Sequence, residues 1–197
     1  MKWIDSNKIK LDKPLNDLDT FVLDFCELLN ENKYVLISGY VALLFGRSRG
    51  TEDVDMLLKN CDFQKWRTIY DKLLKANFWC LNAEGAEETY NYLIDKMAIR
   101  FARKEQVIPN MEVKFAFEQN SLDVLNDRLE VETNMGKIYL SSIERQIAYK
   151  RIFLASEKDL EDAYFLEEIF KDKLDFLKLN KLTKRFENEK IKEFQKK

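Results

Sequence analysis

The 197-residue sequence contains no histidine, and it has only five glycines and two prolines. The missing histidine removes the commonest zinc ligand, the commonest general base and the usual nucleophilic triad. Chemistry in this chain must therefore use carboxylates, lysines or hydroxyl groups. Because glycine and proline are scarce and 46% of the residues are apolar, the composition leaves little room for flexible linkers, and we predict one compact globular unit with an extension.

Long apolar runs and an excess charge of either sign are also missing. No stretch reaches the roughly 18 uncharged apolar residues of a membrane span, and the N-terminal stretch lacks the apolar core of a signal peptide. We therefore expect a soluble, cytoplasmic protein without a membrane partner. Thirty-three basic and 35 acidic residues give a net charge of −2, so any polyanion would have to bind a local patch. The three cysteines, Cys26, Cys61 and Cys80, lie far apart, which favours buried free thiols over disulfides.

The hydrophobic periodicity predicts an alternation of helices and strands followed by a helical end. The predicted helices cover residues 17–30, 39–46, 62–77 and 122–129, then two more after Ser141 and a lysine-rich tail at 174–197. The predicted strands cover 34–38, 53–58, 78–81, 97–103, 111–117 and 135–142, with an antiparallel hairpin at the fourth and fifth. We predict an α+β fold with a small mixed sheet flanked by helices, organised as a core at 1–140 and a helical extension at 141–197.

Two acidic residues, Asp53 and Asp55, lie in a predicted strand. Because side chains alternate along a strand, both carboxylates lie on the same face and repel each other. A divalent cation between them would relieve this repulsion, and a ligand set of oxygens alone favours Mg²⁺ or Mn²⁺. Glu112, within the predicted strand 111–117, is the best candidate for a third ligand. The alternative is a strand that begins with solvated or lysine-paired acids.

Three carboxylates that hold two metal ions can support an in-line phosphoryl transfer that releases pyrophosphate. The dipeptide Ser38-Gly39 fits this chemistry, because glycine lets a phosphate approach the backbone and the start of a helix offers free N–H groups.

The dipeptide Ser38-Gly39 and the two aspartates belong to a longer pattern, ISGYVALLFGRSRGTEDVDMLL at 37–58. It resembles the signature of the nucleotidyltransferase superfamily, in which Gly-Gly or Gly-Ser precedes an apolar-Asp-apolar-Asp-apolar strand. The run of Arg49, Thr51, Asp53 and Asp55 is similar to that of the small AbiEii-type toxin nucleotidyltransferases and their prokaryotic relatives. This sequence departs from the superfamily in having Ser38-Gly39 for the first motif and Glu112 where aspartate is common.

A second block, SSIERQIAYKRIFLASEKDLEDAYFL at 141–166, resembles the later motifs of the same group. The resemblance implies that Lys150 contacts nucleotide phosphates and that Lys158-Asp159 with Asp162 fill the last motif. Arg47 and Arg49 are further candidates, because a planar guanidinium suits phosphate oxygens, although a salt bridge to Glu52 is an alternative for them. The acids of the last motif can instead simply favour a helix N-terminus.

The resemblance implies transfer of a nucleoside monophosphate from an NTP such as ATP to a hydroxyl of RNA, for example tRNA, or of a protein. Asp53 and Asp55 would bind both metal ions, and Glu112 would bind the one that activates the acceptor. The first alternative is a catalytically silent module with the same fold that binds an NTP or a partner. The second is a toxin-antitoxin or defence component that acts with a cognate antitoxin.

Overall fold

The structure, a computed structural model, describes residues 1–29 and 31–195, and within them nine strands form one mixed sheet flanked by helices. This arrangement confirms the predicted α+β fold with its helical C-terminal part. The last strand ends at Ser141. The division into a core at 1–140 and an extension at 141–197 stays a prediction. Asn30 and the last two residues of the predicted tail lie outside the described residues.

The strands are β1 (Lys2–Asp5), β2 (Lys8–Lys10), β3 (Tyr34–Leu36), β4 (Asp53–Lys59), β5 (Phe78–Cys80), β6 (Ile99–Arg103), β7 (Asn110–Ala116), β8 (Arg128–Thr133) and β9 (Gly136–Ser141). The helices are α1 (Asp17–Glu27), α2 (Gly39–Leu44), α3 (Phe63–Lys75), α4 (Gly85–Ile94), α5 (Gln119–Asn126), α6 (Ile143–Tyr149), α7 (Glu157–Phe170) and α8 (Phe176–Phe194). A π-helical turn at Lys150–Leu154 follows α6. Across the sheet the order is β1-β2-β8-β9-β3-β4-β7-β6-β5.

The inner strand β4 has one buried face and one face that carries acidic residues. Val54, Met56 and Leu58 are fully buried on one face, so the alternation of the strand turns Asp53 and Asp55 to the other. Strand β4 pairs antiparallel with β3 and parallel with β7. Asp53 and Asp55 therefore lie on a strand that has β3 on one side and β7 on the other.

Aromatic side chains build the larger core against the apolar face of β4. Phe25 of α1 contacts Phe78 and Phe101 with ring centroids 5.1 and 5.8 Å apart, and Trp66 of α3 lies 6.4 Å from Phe101. Offset and edge-to-face contacts of this kind add to the gain from burying apolar area. A smaller apolar cluster, formed by Val35, Ala116 and Leu125, lies under α5.

The sequence pattern missed three strands and located one helix too late. Strands β1 and β2 have four and three residues and carry lysines, so they lack the apolar alternation that indicates a strand. The helix predicted at 122–129 is α5, which ends at Asn126, and residues from Arg128 onward form β8. Residues 84–96, without a prediction, contain α4.

The three cysteines are free, with Cys26 buried and the other two half-buried. In the described residues no helix has the length and apolar character to cross a membrane.

Candidate active site

The two aspartates of β4 lie on one face of the sheet, as the alternation predicts. Asp53 begins the strand and is exposed, whereas Asp55 is half-buried. The Thr51 hydroxyl donates a hydrogen bond to the backbone oxygen of Asp53 over 2.9 Å. Thr51 thus orders the turn into the strand, and both carboxylates stay on the same side of β4.

Glu112 lies beside Asp55, because the parallel pairing of β4 and β7 sets these two residues opposite each other. Its carboxylate already has two cationic partners. Arg100 Nη2 donates to Oε2 over 2.9 Å, and Lys114 Nζ donates to Oε1 over 2.7 Å. Arg100 comes from β6, whose antiparallel register sets it opposite Glu112 on the other side. The three predicted metal ligands therefore share one face, with the third one engaged by two cations.

The pKa shifts of the site follow from this distribution of charge. Burial raises the pKa of Asp55, the nearby carboxylates of Glu112 and Asp53 raise it further, and hydrogen bonding with Ser38 and the charge of Lys114 oppose the rise only in part. For Glu112 burial also raises the pKa, but the hydrogen bonds from Lys114 and Arg100 outweigh it and the pKa lies below its ordinary value. Negative charge is thus in local excess at Asp55 and compensated at Glu112.

Ser38 occupies a strained backbone position next to Asp55. Its φ of 64° and ψ of −137° lie in a region that favours glycine. The hydroxyl group of Ser38 hydrogen-bonds with the Asp55 carboxylate, and the backbone N–H of Ile37 donates to the Asp55 carbonyl over 3.0 Å. The serine that departs from the Gly-Gly or Gly-Ser pattern therefore keeps a glycine-like backbone and adds a contact to the acidic site.

Gly39 allows an arginine to approach the start of α2. A Cβ atom at this position would lie only 2.5 Å from Nη2 of Arg49, so a larger residue would displace the guanidinium. The structure therefore brings together two predicted nucleotide contacts, Gly39 and Arg49.

The remaining predicted contacts gather around α7 in what we call the Asp162 cluster, formed by Arg47, Arg49, Lys150, Asp159 and Asp162. Arg49 Nη1 and Lys150 Nζ each lie 2.8 Å from Asp162 Oδ2, and Arg47 Nε lies 2.7 Å from Oδ1. Lys150 also donates to Asp159 over 2.9 Å. Lys150 and Asp162 have no exposed surface. The cations predicted to bind phosphate are thus paired with carboxylates of α7.

Two predicted nucleotide contacts, Arg47 and Lys158, differ from the expectation. Arg47 pairs with Glu161 over 2.6 Å as well as with Asp162, so its partners lie on α7 and not at Glu52. Lys158 is exposed on α7. Arg100 and Lys114, the two cationic partners of Glu112, were not among the predicted site residues. Lys114 lies two residues after Glu112 on the same strand, so the alternation of side chains predicts that both lie on one face. The contact with Arg100 depends on the register of β6 and β7, which the sequence pattern does not give.

Of the three predicted metal ligands, Asp53 and Asp55 are suited to bind a divalent cation, whereas Glu112 is engaged by other side chains. A cation beside Asp53 and Asp55 would neutralise the excess negative charge at Asp55. Carboxylate oxygens are ligands that suit Mg²⁺ or Mn²⁺. Within the described parts of the chain, however, no three acidic, cysteine or histidine side chains converge closely enough to hold a metal ion. The fit is therefore to the two aspartates, and Glu112 would first have to exchange its partners.

A cavity of about 330 Å³ opens beside the two residues Ser38 and Asp55. Its wall continues over Lys114 of β7 to Arg145 and Gln146 of α6. The acidic face of β4 therefore borders a space bounded by the sheet and by the C-terminal helices.

Similarity to known proteins is confined to the fold. No protein-family model and no curated protein matches this sequence. Among solved structures the chain is similar to JHP933 from Helicobacter pylori, with 17% identity, a TM-score of 0.52 and coverage of 88% of this chain and 75% of that one. It is also similar to an antigenic nucleotidyltransferase-like protein from Paracoccidioides brasiliensis, with 17% identity, a TM-score of 0.49 and coverage of 90% and 91%.

The likeness to JHP933 shows a shared fold. The resemblance to AbiEii-type toxins stays a prediction.

Proposed function

We propose that this protein is a metal-dependent nucleotidyltransferase, which moves a nucleoside monophosphate from an NTP to a hydroxyl of RNA or protein. The observation that carries the proposal is the register of β4 and β7, which sets Glu112 beside Asp55 on the face that also bears Asp53. The turn at Ser38-Gly39 lies directly next to this face. A pair of strand carboxylates next to a glycine at the start of a helix is the arrangement that the resemblance of residues 37–58 implies for a nucleotidyltransferase site.

Each carboxylate has a distinct role in this proposal. Asp53 and Asp55 would hold Mg²⁺ or Mn²⁺, which supplies charge neutralisation for the triphosphate and lowers the pKa of the attacking hydroxyl. Glu112 would turn from Arg100 and Lys114 toward the acceptor side of the site. The phosphate oxygens of the NTP would replace Glu112 as partners of these two cations, because phosphate and carboxylate oxygens accept the same charge-assisted hydrogen bonds.

The other predicted nucleotide contacts differ in how accessible they are to a nucleotide. Arg49 is the favoured one, because its guanidinium lies at Gly39 and retains exposed surface. Lys150 and Asp159 are less accessible, since they bind each other within the Asp162 cluster. The full set of nucleotide contacts that we propose is Ser38, Gly39, Arg47, Arg49, Lys150, Lys158 and Asp159.

The test is a transfer assay with the purified chain, Mg²⁺ or Mn²⁺, each α-³²P-labelled NTP in turn, and either total tRNA or the protein itself as acceptor. We expect label on one acceptor, reduced by about a hundredfold or more in the Asp53→Asn/Asp55→Asn double variant, because electrostatic contacts to the reacting groups are removed. The matched control is Asp71→Asn, an exposed aspartate on α3. Full transfer by the double variant would show the mechanism to be wrong.

A second candidate function is an NTP-binding module without turnover. It is favoured by the observation that both oxygens of Glu112 already bind cations. Stabilisation of the wild-type chain by an NTP with Mg²⁺, without any labelled product, would support this candidate.

A role as a toxin or defence component with a cognate antitoxin is a further proposal, which rests on the resemblance of residues 37–58 to AbiEii-type toxins. Arrest of growth on expression, relieved by the product of an adjacent gene, would test it.

A further inference from the structure

The side from which an acceptor reaches the acidic face of β4 follows from the side that the nucleotide contacts occupy. Gly39 comes directly after β3, and the guanidinium of Arg49 lies at Gly39, so these two proposed triphosphate contacts are on the β3 side of β4. An in-line displacement places the attacking hydroxyl and the leaving pyrophosphate on opposite sides of the phosphorus. In the sheet order β3-β4-β7-β6-β5, the acceptor therefore approaches over β7, β6 and β5.

An exposed tryptophan lies on this side of the sheet, on the same face as the aspartates. The strand register aligns Trp79 of β5 with Ala102 of β6. It aligns Ala102 in turn with Asn110 of β7, and Asn110 with Asp53. Aligned residues share a face of the sheet, and three strand spacings separate Trp79 from Asp53 by about 14 Å. The indole is 39% exposed, and its Nε1 donates to the Gln106 backbone oxygen over 2.9 Å, which fixes the orientation of the ring.

Two exposed cationic side chains flank the indole. Arg100 and Lys104 lie two residues before and two residues after Ala102, which makes both of them diagonal neighbours of the tryptophan on the same face. The pairing continues past the end of β6, because the Lys104 N–H donates to the Asn77 carbonyl over 2.8 Å. Arg100 binds Glu112 through Nε and Nη2, so the rest of its planar guanidinium can bind a second anion.

We infer that the surface formed by Trp79, Arg100 and Lys104, which we call the Trp79 surface, binds the single-stranded end of an RNA acceptor. This inference rests on the proposed function and selects RNA over protein as the acceptor. Every base has a flat face that can stack on an indole, and the two cations can bind the backbone phosphates on either side of the stacked base. The terminal hydroxyl of the strand would then reach the metal ion at Asp53 and Asp55. A protein acceptor lacks this repeat of flat ring and phosphate.

The first test is equilibrium binding of a short, unstructured, fluorescently labelled RNA to the full chain with Mg²⁺. We expect Trp79→Leu to weaken binding by about tenfold or more, because the stacking of one base on an aromatic ring is lost. In the transfer assay the same variant should raise the KM for RNA and leave the KM for the NTP unchanged. The matched control is Tyr164→Leu, which removes an exposed aromatic ring of α7.

The second test is the salt dependence of the same binding. Lys104→Ala should make the slope of log affinity against log salt concentration shallower by about 0.7, the contribution of one phosphate of a single strand. The matched control is Lys65→Ala, an exposed lysine on α3, which should leave the slope unchanged.

The outcomes separate this inference from the proposed function. Unchanged RNA binding by Trp79→Leu, with label still transferred to RNA, overturns the Trp79 surface and leaves the transfer intact. Label on protein alone, or a wild-type chain that does not bind RNA, overturns RNA as the acceptor. RNA binding that depends on Trp79, in a chain that transfers no label, supports the surface and contradicts the proposed function. If Trp79→Leu does not fold, the salt slope of Lys104→Ala decides.

Discussion

Two groups of carboxylates in this chain have opposite electrostatic surroundings. In the Asp162 cluster a fully buried aspartate is matched by three cationic side chains, Arg47, Arg49 and Lys150. On the face of β4, Asp55 has two acidic neighbours and, among the described residues, no ion pair of its own. Charges in the first group compensate each other inside the protein, whereas those in the second leave a deficit of positive charge.

The difference distinguishes a structural ion network from a site that can accept a ligand. The Asp162 cluster joins the loop after α2 to the π-helical turn and to α7, so it ties the sheet-bearing part of the chain to the C-terminal helices. Its desolvation cost is offset only while every partner is in place. The acidic face of β4 needs a cation from outside for the same compensation.

The largest expected effect is the loss of stability when Asp162 becomes asparagine. This change leaves three cations near a neutral group in a buried place, and we expect the free energy of unfolding to fall by about 3–5 kcal/mol. Urea denaturation measures it. The control is Glu161→Gln, which removes a half-exposed partner of Arg47 and should cost less than about 1 kcal/mol. Equal costs for both variants would contradict a network centred on Asp162.

A smaller and opposite effect is expected for Asp55→Asn. Because the folded protein raises the pKa of Asp55, the folded state binds more protons than the unfolded state as pH rises from the ordinary aspartate pKa of about 3.9 to the raised folded pKa. Ionisation of Asp55 therefore destabilises the fold as pH rises. The variant should melt at a higher temperature than the wild type at pH 7, and the gain should vanish below about pH 4.

Thermal melts of both proteins between pH 3 and pH 8 measure this effect, and Glu112→Gln provides the contrast. The pKa of Glu112 is lowered, so its carboxylate stabilises the fold at neutral pH and that contribution is lost as pH falls through the lowered pKa. Glu112→Gln should therefore lower the melting temperature at pH 7 and have no effect at the acid end. Parallel pH profiles for the two variants would contradict the assignment of excess charge to Asp55.

The smallest expected effect is that of Ser38→Gly. Glycine relieves the strain of a positive φ, so we expect a gain in stability of about 1 kcal/mol after the greater entropy of the unfolded glycine is subtracted. The change also removes the hydroxyl that hydrogen-bonds with Asp55, and the pKa of Asp55 should rise further. Urea denaturation measures the first effect, and the pH dependence of melting measures the second. A loss of stability would show that the hydrogen bond outweighs the strain.

Much of the candidate site could be predicted from the pattern of apolar and polar residues within single segments of the sequence. The period of two along β4 places Asp53 and Asp55 on one face, and the start of α2 at Gly39 follows from the apolar run after it. Arg100, one of the two cationic partners of Glu112, could not be predicted, because it meets Glu112 only through the register of β6 and β7. The same holds for the Asp162 cluster, whose members come from three separate segments.

By itself, the sequence determined the fold class, most of the elements and the chemical types available: an α+β chain without histidine, with two aspartates on one face of a strand and a glycine at the start of a nearby helix. Only the tertiary structure decided which charges meet. Side-chain periodicity is a local property that each segment carries, whereas the compensation of a charge depends on residues that strand register and helix packing bring together. The alignment of Glu112 with Asp55, and the burial of Lys150 against Asp159 and Asp162, belong to this second kind.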